Sequence, residues 1–304
     1  MKCLAVALLV LSSALLNAQS PNKNPKKDEA PILGPHWARG TQTAATTNPN
    51  MTYHGGPILA STVVQAIFWG TNWGNAAFVG DKASGMDNWY SNIGAATGGK
   101  GSSYFATVDE YYDSAGQYVT TATNYLDHII DTTSAPQNPS TAQVLREVCR
   151  TITSPVSNGY YPVYIDHKRK GNFCAYHSYG SCNGKVVQFA FFWDLDGDAG
   201  CDPNSGIATQ SEGLAALANV SGHELSETRS DPHGDAWYDA SGEENGDKCA
   251  WTFGGPYVTF LDGTDWKLQG NWSNYAFNHG TGYPNSSGYN GCADGTNYPG
   301  PYTE

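Results

Sequence analysis

Apolar positions in this chain fall in short runs broken by Gly, Asn, Thr and Tyr, and the spacing inside each run sorts it into strands and helices. The apolar run Leu4 to Leu16, behind Lys2 and followed by Asn17, Ala18, Gln19 and Ser20, reads as a signal peptide over 1–18. Residues 19–50 are rich in Pro, Lys and Thr without apolar periodicity, the pattern of a flexible linker. Folded sequence begins near Met51. Thr62 to Trp69 (TVVQAIFW) predicts a buried strand, as do Gln117 to Thr123, Tyr160 to Asp166 and Lys185 to Trp193, the last being the clearest. Helices are predicted over Met86 to Ile93 and Tyr104 to Tyr112, and over Ser140 to Ile152 from a Ser/Thr cap. Ser211 to about Arg229 is a further helix, with Leu214, Leu217, Ala218 and Leu225 at helical spacing. Beyond Ser230 the chain is rich in Gly, Asn, Tyr, Trp and Asp, with one hairpin through Tyr257 to Leu261 and Trp266 to Leu268. Strands and helices alternate without a repeat, so residues 51–304 are expected to form one α+β domain with a mixed sheet and a loop-rich C-terminal part.

Charge narrows the partners. Sixteen Lys+Arg stand against 28 Asp+Glu, a net charge of −12, which repels nucleic acid and anionic lipid and favours cations. After the leader, no segment approaches the roughly 20 apolar residues of a membrane helix, so no membrane insertion is expected. Six cysteines remain once Cys3 leaves with the leader: Cys149, Cys174, Cys182, Cys201, Cys249 and Cys292. An even set in an exported chain points to disulfides, and the short separation of Cys174 and Cys182 suggests a local hairpin bridge. Secretion, extracellular or periplasmic, is the expected location.

The densest chemistry is His223-Glu224-Leu225-Ser226-Glu227, followed by Asp231-Pro232, Ala236-Trp237-Tyr238-Asp239 and Glu244-Asn245-Gly246-Asp247-Lys248-Cys249. On a helix, positions i and i+4 share a face, so His223 and Glu227 can grip one cation. This is zincin-like logic with Glu in place of the second His, and it makes the helix an active-site type of element. In that scheme zinc is held by His223 and Glu227, with Glu244 or Asp247 as third ligand, and Glu224 takes a proton from the activated water. Tyr238, His233 or His177 are candidates to stabilise an oxyanion. The alternative is a His223–Glu227 hydrogen-bonded pair on a packed helix, with Asp231 turning the chain before Pro232 and Glu244 and Asp247 in a solvated loop. Further carboxylates would also cancel much of the ion's charge and lower its Lewis acidity, which leaves a purely structural ion open.

These blocks resemble the plant EXORDIUM and phosphate-induced protein family and its microbial relatives. Met51-Thr52-Tyr53-His54-Gly55-Gly56-Pro57-Ile58-Leu59 is similar to that family's opening block, Ile67-Phe68-Trp69-Gly70 follows it, and Cys174-Ala175-Tyr176-His177 is similar to its Cys-Gly-Phe-His segment. The resemblance spans about 51–251 and implies a secreted, cell-wall type protein tied in plants to growth, with no securely known reaction. The acidic loop after Trp193 and the Gly/Asn/Tyr-rich end depart from the plant pattern.

A second candidate is Asp194-Leu195-Asp196-Gly197-Asp198, continuing to Asp202, whose alternate carboxylates resemble the start of a calcium loop. Ala199 and Ser205 occupy positions where an EF-hand loop needs Gly and Glu, so a plain Asx and Gly turn is the other reading. Two functions follow: a secreted zinc-dependent, peptidase-like hydrolase, or a non-catalytic extracellular binding or signalling protein with structural metal ions. A peptide or a cell-wall polymer is the expected partner. The absence of a GxSxG elbow argues against a serine hydrolase.

Overall fold

The computed structural model describes residues 29–41, 49–96, 100–297, 300 and 302. The expected signal peptide lies outside the described residues. In chain order the strands are β1 (Leu33–Trp37), β2 (Thr52–Tyr53), β3 (Thr62–Trp69), β4 (Thr123–Asp131), β5 (Gly159–Lys168), β6 (Phe173–Cys182), β7 (Lys185–Asp194) and β8 (Trp237–Tyr238). Short strands β9 to β13 follow, at Val258–Thr259, Asp265–Trp266, Asn271–Trp272, Tyr283–Pro284 and Asn290–Ala293. The α-helices are α1 (Ala76–Val79), α2 (Lys82–Ile93), α3 (Thr141–Thr151), α4 (Glu212–Ser230) and α5 (Asn274–His279).

Six strands form one mixed sheet in the order β1-β6-β7-β5-β3-β4. β4, β3, β5 and β7 run parallel, which requires crossovers and buries both faces; hence the near-continuous apolar runs of β3 and β7. β6 turns back antiparallel to β7, and β1 adds antiparallel to β6 at the edge. The domain is therefore α+β, as the sequence predicts. α3 starts at Ser140 with a full capping box, Ser140 with Gln143. α4 starts at Ser211, whose hydroxyl accepts from the Leu214 amide. It packs on β1, β6 and β7 and against α2, and every residue from Gly213 to Ser230 is buried. A helix covered all round needs no single apolar stripe, and its polar residues must find partners inside.

Several expectations are corrected. Residues 33–37, inside the expected linker, form β1, ordered by pairing with β6 instead of by their own pattern. The helix expected at Tyr104 to Tyr112 is only a 3-10 turn at Phe105–Val108, and the strand expected at Gln117 to Thr123 begins at Thr123 instead. The hairpin near Tyr257 to Leu268 exists as two-residue strands. Cys174 and Cys182 lie at opposite ends of one extended strand, roughly 25 Å apart at the rise of a strand, and so do not bridge. The disulfides are Cys149–Cys182, Cys174–Cys201 and Cys249–Cys292. No described helix is long and apolar enough to cross a membrane.

Candidate metal centre

His223 and Glu227 sit one turn apart on α4, and His223 Nε2 lies 3.2 Å from Glu227 Oε1. The loop after α4 folds back onto the helix because Asn245 donates to the Ser226 carbonyl (3.2 Å) and to the Ser230 hydroxyl (2.6 Å). That docking delivers Asp247, whose amide donates to Glu227 Oε1 at 2.9 Å and whose Oδ1 stands 3.9 Å from His223 Nε2. It also delivers Glu244, whose Oε2 lies 3.2 Å from Nε2 of His177 on β6. His177 Nε2 is in turn 3.8 Å from Glu227 Oε2. Two sets of ligand atoms result, His223/Glu227/Asp247 and His177/Glu227/Glu244, each with all members within 4.8 Å of one another. Asp247 thus joins the helix pair, whereas Glu244 meets Glu227 together with His177 instead of His223.

The site is buried and acidic. Glu224, Glu227 and Asp231 are fully buried, Glu244 almost so, and Asp247 keeps a side-chain exposure of 10%. Burial first, and then the neighbouring carboxylates, push Glu224, Glu244 and Asp247 well above the ordinary carboxylate range; burial does the same to Glu227. Burial, followed by Glu244, raises Asp231 to about 8, against the opposing hydrogen bonds its Oδ1 accepts from the Asp235 and Ala236 amides. Burial also holds His177 down to about 3 and His223 to about 4, so both imidazoles are neutral, the state a ligand requires. Among the described residues no Lys or Arg pairs with Glu224, Glu227, Asp231 or Glu244: nearby Lys248 is held by Asp239 at 2.6 Å and Arg229 by Asp109 at 3.2 Å.

Three residues complete the site that the sequence does not single out. Gln269 is pinned by donating its amide nitrogen to the Gly246 carbonyl (2.9 Å) and by accepting the Trp251 amide (3.1 Å). The same nitrogen faces His223 Nδ1 at 3.0 Å, so the neutral imidazole carries its proton on Nε2, aimed at Glu227. A cation at Nε2 moves that proton to Nδ1 and obliges the Gln269 amide to present its oxygen. Gly34, at φ +39°, brings the β1 backbone so close that an added Cβ would overlap Glu227 Oε2 and come within 2.7 Å of His177 Nε2. The β1–β6 register shifts between Leu33 and His36, which places this bend opposite His177. The His36 ring stacks on His223 at 4.1 Å and on Trp251 at 4.6 Å. No local spacing reveals Gly34, His36 or Gln269, because all three arrive by long-range packing.

Asp247 leads outward. It lines a cavity of about 500 Å³ with Pro35, Trp37 and Glu243, and a second of about 290 Å³ with Arg39 and Trp251. Glu224 lies near the His36 backbone amide, which opposes its upward shift, but neither of its oxygens makes a full hydrogen bond among the described residues.

Tyr238 does not join the cluster. It belongs to the β2–β8 pair, where its ring stacks on His54 at 3.6 Å, and no hydrogen bond among the described residues ties it to His177, His223 or the acids of the cluster. His233 stacks on Tyr179. His177, expected as an oxyanion partner, stands instead among the carboxylates. At the expected calcium loop, Asp194, Asp196 and Asp198 each face a basic side chain. Lys168 pairs with Asp194 (2.8 Å), Lys82 with Asp194 and Asp196, and Arg169 with Asp198 (2.6 Å). These three aspartates fall in none of the ligand groups found among the described residues.

Comparison with protein-family models, with curated proteins and with solved structures finds no match to this chain.

Proposed function

We propose that the chain is an exported metal-dependent hydrolase, with zinc at His223, Glu227 and Asp247 and a carbonyl group, most simply a peptide bond, as its target. The observation that carries this reading is the cluster of buried carboxyl groups without a cationic partner. Several of them share one buried site with two neutral imidazoles, and a dication would allow them to ionise there. Separations of 3.2 and 3.9 Å between donors suit atoms about 2 Å from a common ion, and one imidazole with carboxylates suits zinc. Such an ion lowers the pKa of a water ligand toward neutrality. Glu224, next to His223 in sequence and without a full hydrogen bond among the described residues, is the proposed proton acceptor. The cavity beside Asp247, walled by Pro35 and Trp37, offers the approach. Three disulfides fit an exported chain, and a peptide or extracellular polymer remains the proposed partner.

One observation favours a second reading, a structural ion in a non-catalytic protein of EXORDIUM type: β1 covers the ligands, with Gly34 against Glu227 and His36 flat on His223. Elemental analysis of purified protein beside His223→Ala and Glu227→Ala tests the site, and both variants are expected to hold less zinc than the wild type by at least one equivalent. A wild type without transition metal ends the hydrolase reading. Glu224→Gln then separates the two: an enzyme keeps its zinc and loses turnover, whereas a structural centre has no turnover to lose.

A further inference from the structure

The structure points to a second cation beside the first, held by His177 and Glu244 and bridged to the first ion by Glu227; the inference rests on the reading of His223, Glu227 and Asp247 as ligands. The two ligand groups share Glu227 alone, and no group of mutually close donors among the described residues contains both histidines. Donors bound to one ion at about 2.1 Å stand no more than about 4.2 Å apart, so a single ion does not reach both groups as they are placed. Glu227 divides itself accordingly. Its Oε1 faces His223 at 3.2 Å and its Oε2 faces His177 at 3.8 Å, the posture of a carboxylate bridging two ions. Oε2 is fully buried and has no hydrogen-bond partner among the described residues, whereas Oε1 accepts the Asp247 amide. His177 Nε2 stands 3.2 Å from Glu244 Oε2, again the spacing of two donors on one ion.

Burial agrees with geometry. Five acids surround the site, Glu224, Glu227, Asp231, Glu244 and Asp247, all buried or nearly so, which is more donor oxygen than one four-coordinate ion takes up. Ions about 3.5–4 Å apart are a common arrangement for adding water to ester and amide carbonyls and for in-line displacement at phosphorus.

The test is metal stoichiometry on the full mature chain, stripped with chelator, reloaded with zinc and desalted. Two equivalents are expected in the wild type, one in His177→Ala and one in His223→Ala. A wild type with one equivalent overturns the second site. If His177→Ala then keeps that equivalent and His223→Ala loses it, the single-ion reading of the preceding section still stands; if the wild type holds none, both fall. A measurement without variants guards against misfolding: the wild type loaded with manganese(II) should give the broadened resonance of an exchange-coupled pair. An isolated six-line spectrum at full loading would overturn the inference.

Discussion

The backbone of Gly34 rests against the Glu227 carboxylate, with no room between them for a Cβ. An edge strand laid across a buried acidic helix thus makes one residue's lack of a side chain a condition for the site. Gly34→Ala should displace Glu227, strain a residue at φ +39°, and lower both metal content and thermal stability. Gly116→Ala is the matched control, since Gly116 has φ +73° but nothing within 4 Å of an added Cβ. It should cost only the backbone term of about 1 kcal/mol and leave bound metal unchanged. Thermal melts with elemental analysis of both variants check this, and equal metal content in the two would contradict the placement of Gly34.

Gln269 should govern how tightly the His223 side holds its ion, because it decides which ring nitrogen carries the proton. Gln269→Leu removes the amide that holds the proton on Nε2 and should bind zinc at least as tightly as the wild type in competition with a chromogenic chelator. Gln269→Glu puts an acceptor at Nδ1, leaves Nε2 free for the ion and should bind about 10-fold more tightly. A glutamate variant with unaltered affinity would show that this side chain does not orient the imidazole.

How far this was legible in the sequence follows from where each residue gets its order. Thr62 to Trp69 and Lys185 to Trp193 carry their own strand signal because both faces are covered, and Ser140 and Ser211 announce helices by capping chemistry. His223 and Glu227 were readable because helical periodicity alone brings them together. β1 was not: Gly34 and Pro35 interrupt its pattern, and its order comes from β6, more than 130 residues on. Likewise the choice between Glu244 and Asp247 has no local answer. Asn245 docks their loop so that each acid meets a different histidine.

Arg229, in the last turn of α4, is a structural cation and should not affect metal. It donates to the Phe105 carbonyl (2.7 Å), the Thr120 carbonyl (2.9 Å) and Asp109 (3.2 Å), with its guanidinium over the Phe105 ring at 3.4 Å. Arg229→Met keeps the bulk but leaves two carbonyls and a carboxylate unpaired, so a loss of about 3 kcal/mol is expected in urea unfolding. Zinc per folded molecule should stay unchanged. Arg229→Lys should recover only part, because an ammonium does not reproduce the forked geometry.

Glu110 sets a pH dependence away from the metal centre. Its Oε2 accepts the Tyr275 amide at 3.0 Å, but burial outweighs that bond and raises the carboxyl from 4.5 to about 7. Between those values the folded state therefore holds a proton that the unfolded state has released. Stability contributed by the protonated group is complete below about 4.5 and is lost as pH rises through 7. Glu110→Gln mimics the protonated form, and its carbonyl can still accept the Tyr275 amide. Wild type and variant should unfold alike at pH 4.5, and the variant should gain about 2 kcal/mol by pH 8, after allowance for partial solvent contact. Paired urea titrations at the two values decide it, and a gain of the same size at both would mean that Glu110 does not titrate in this window.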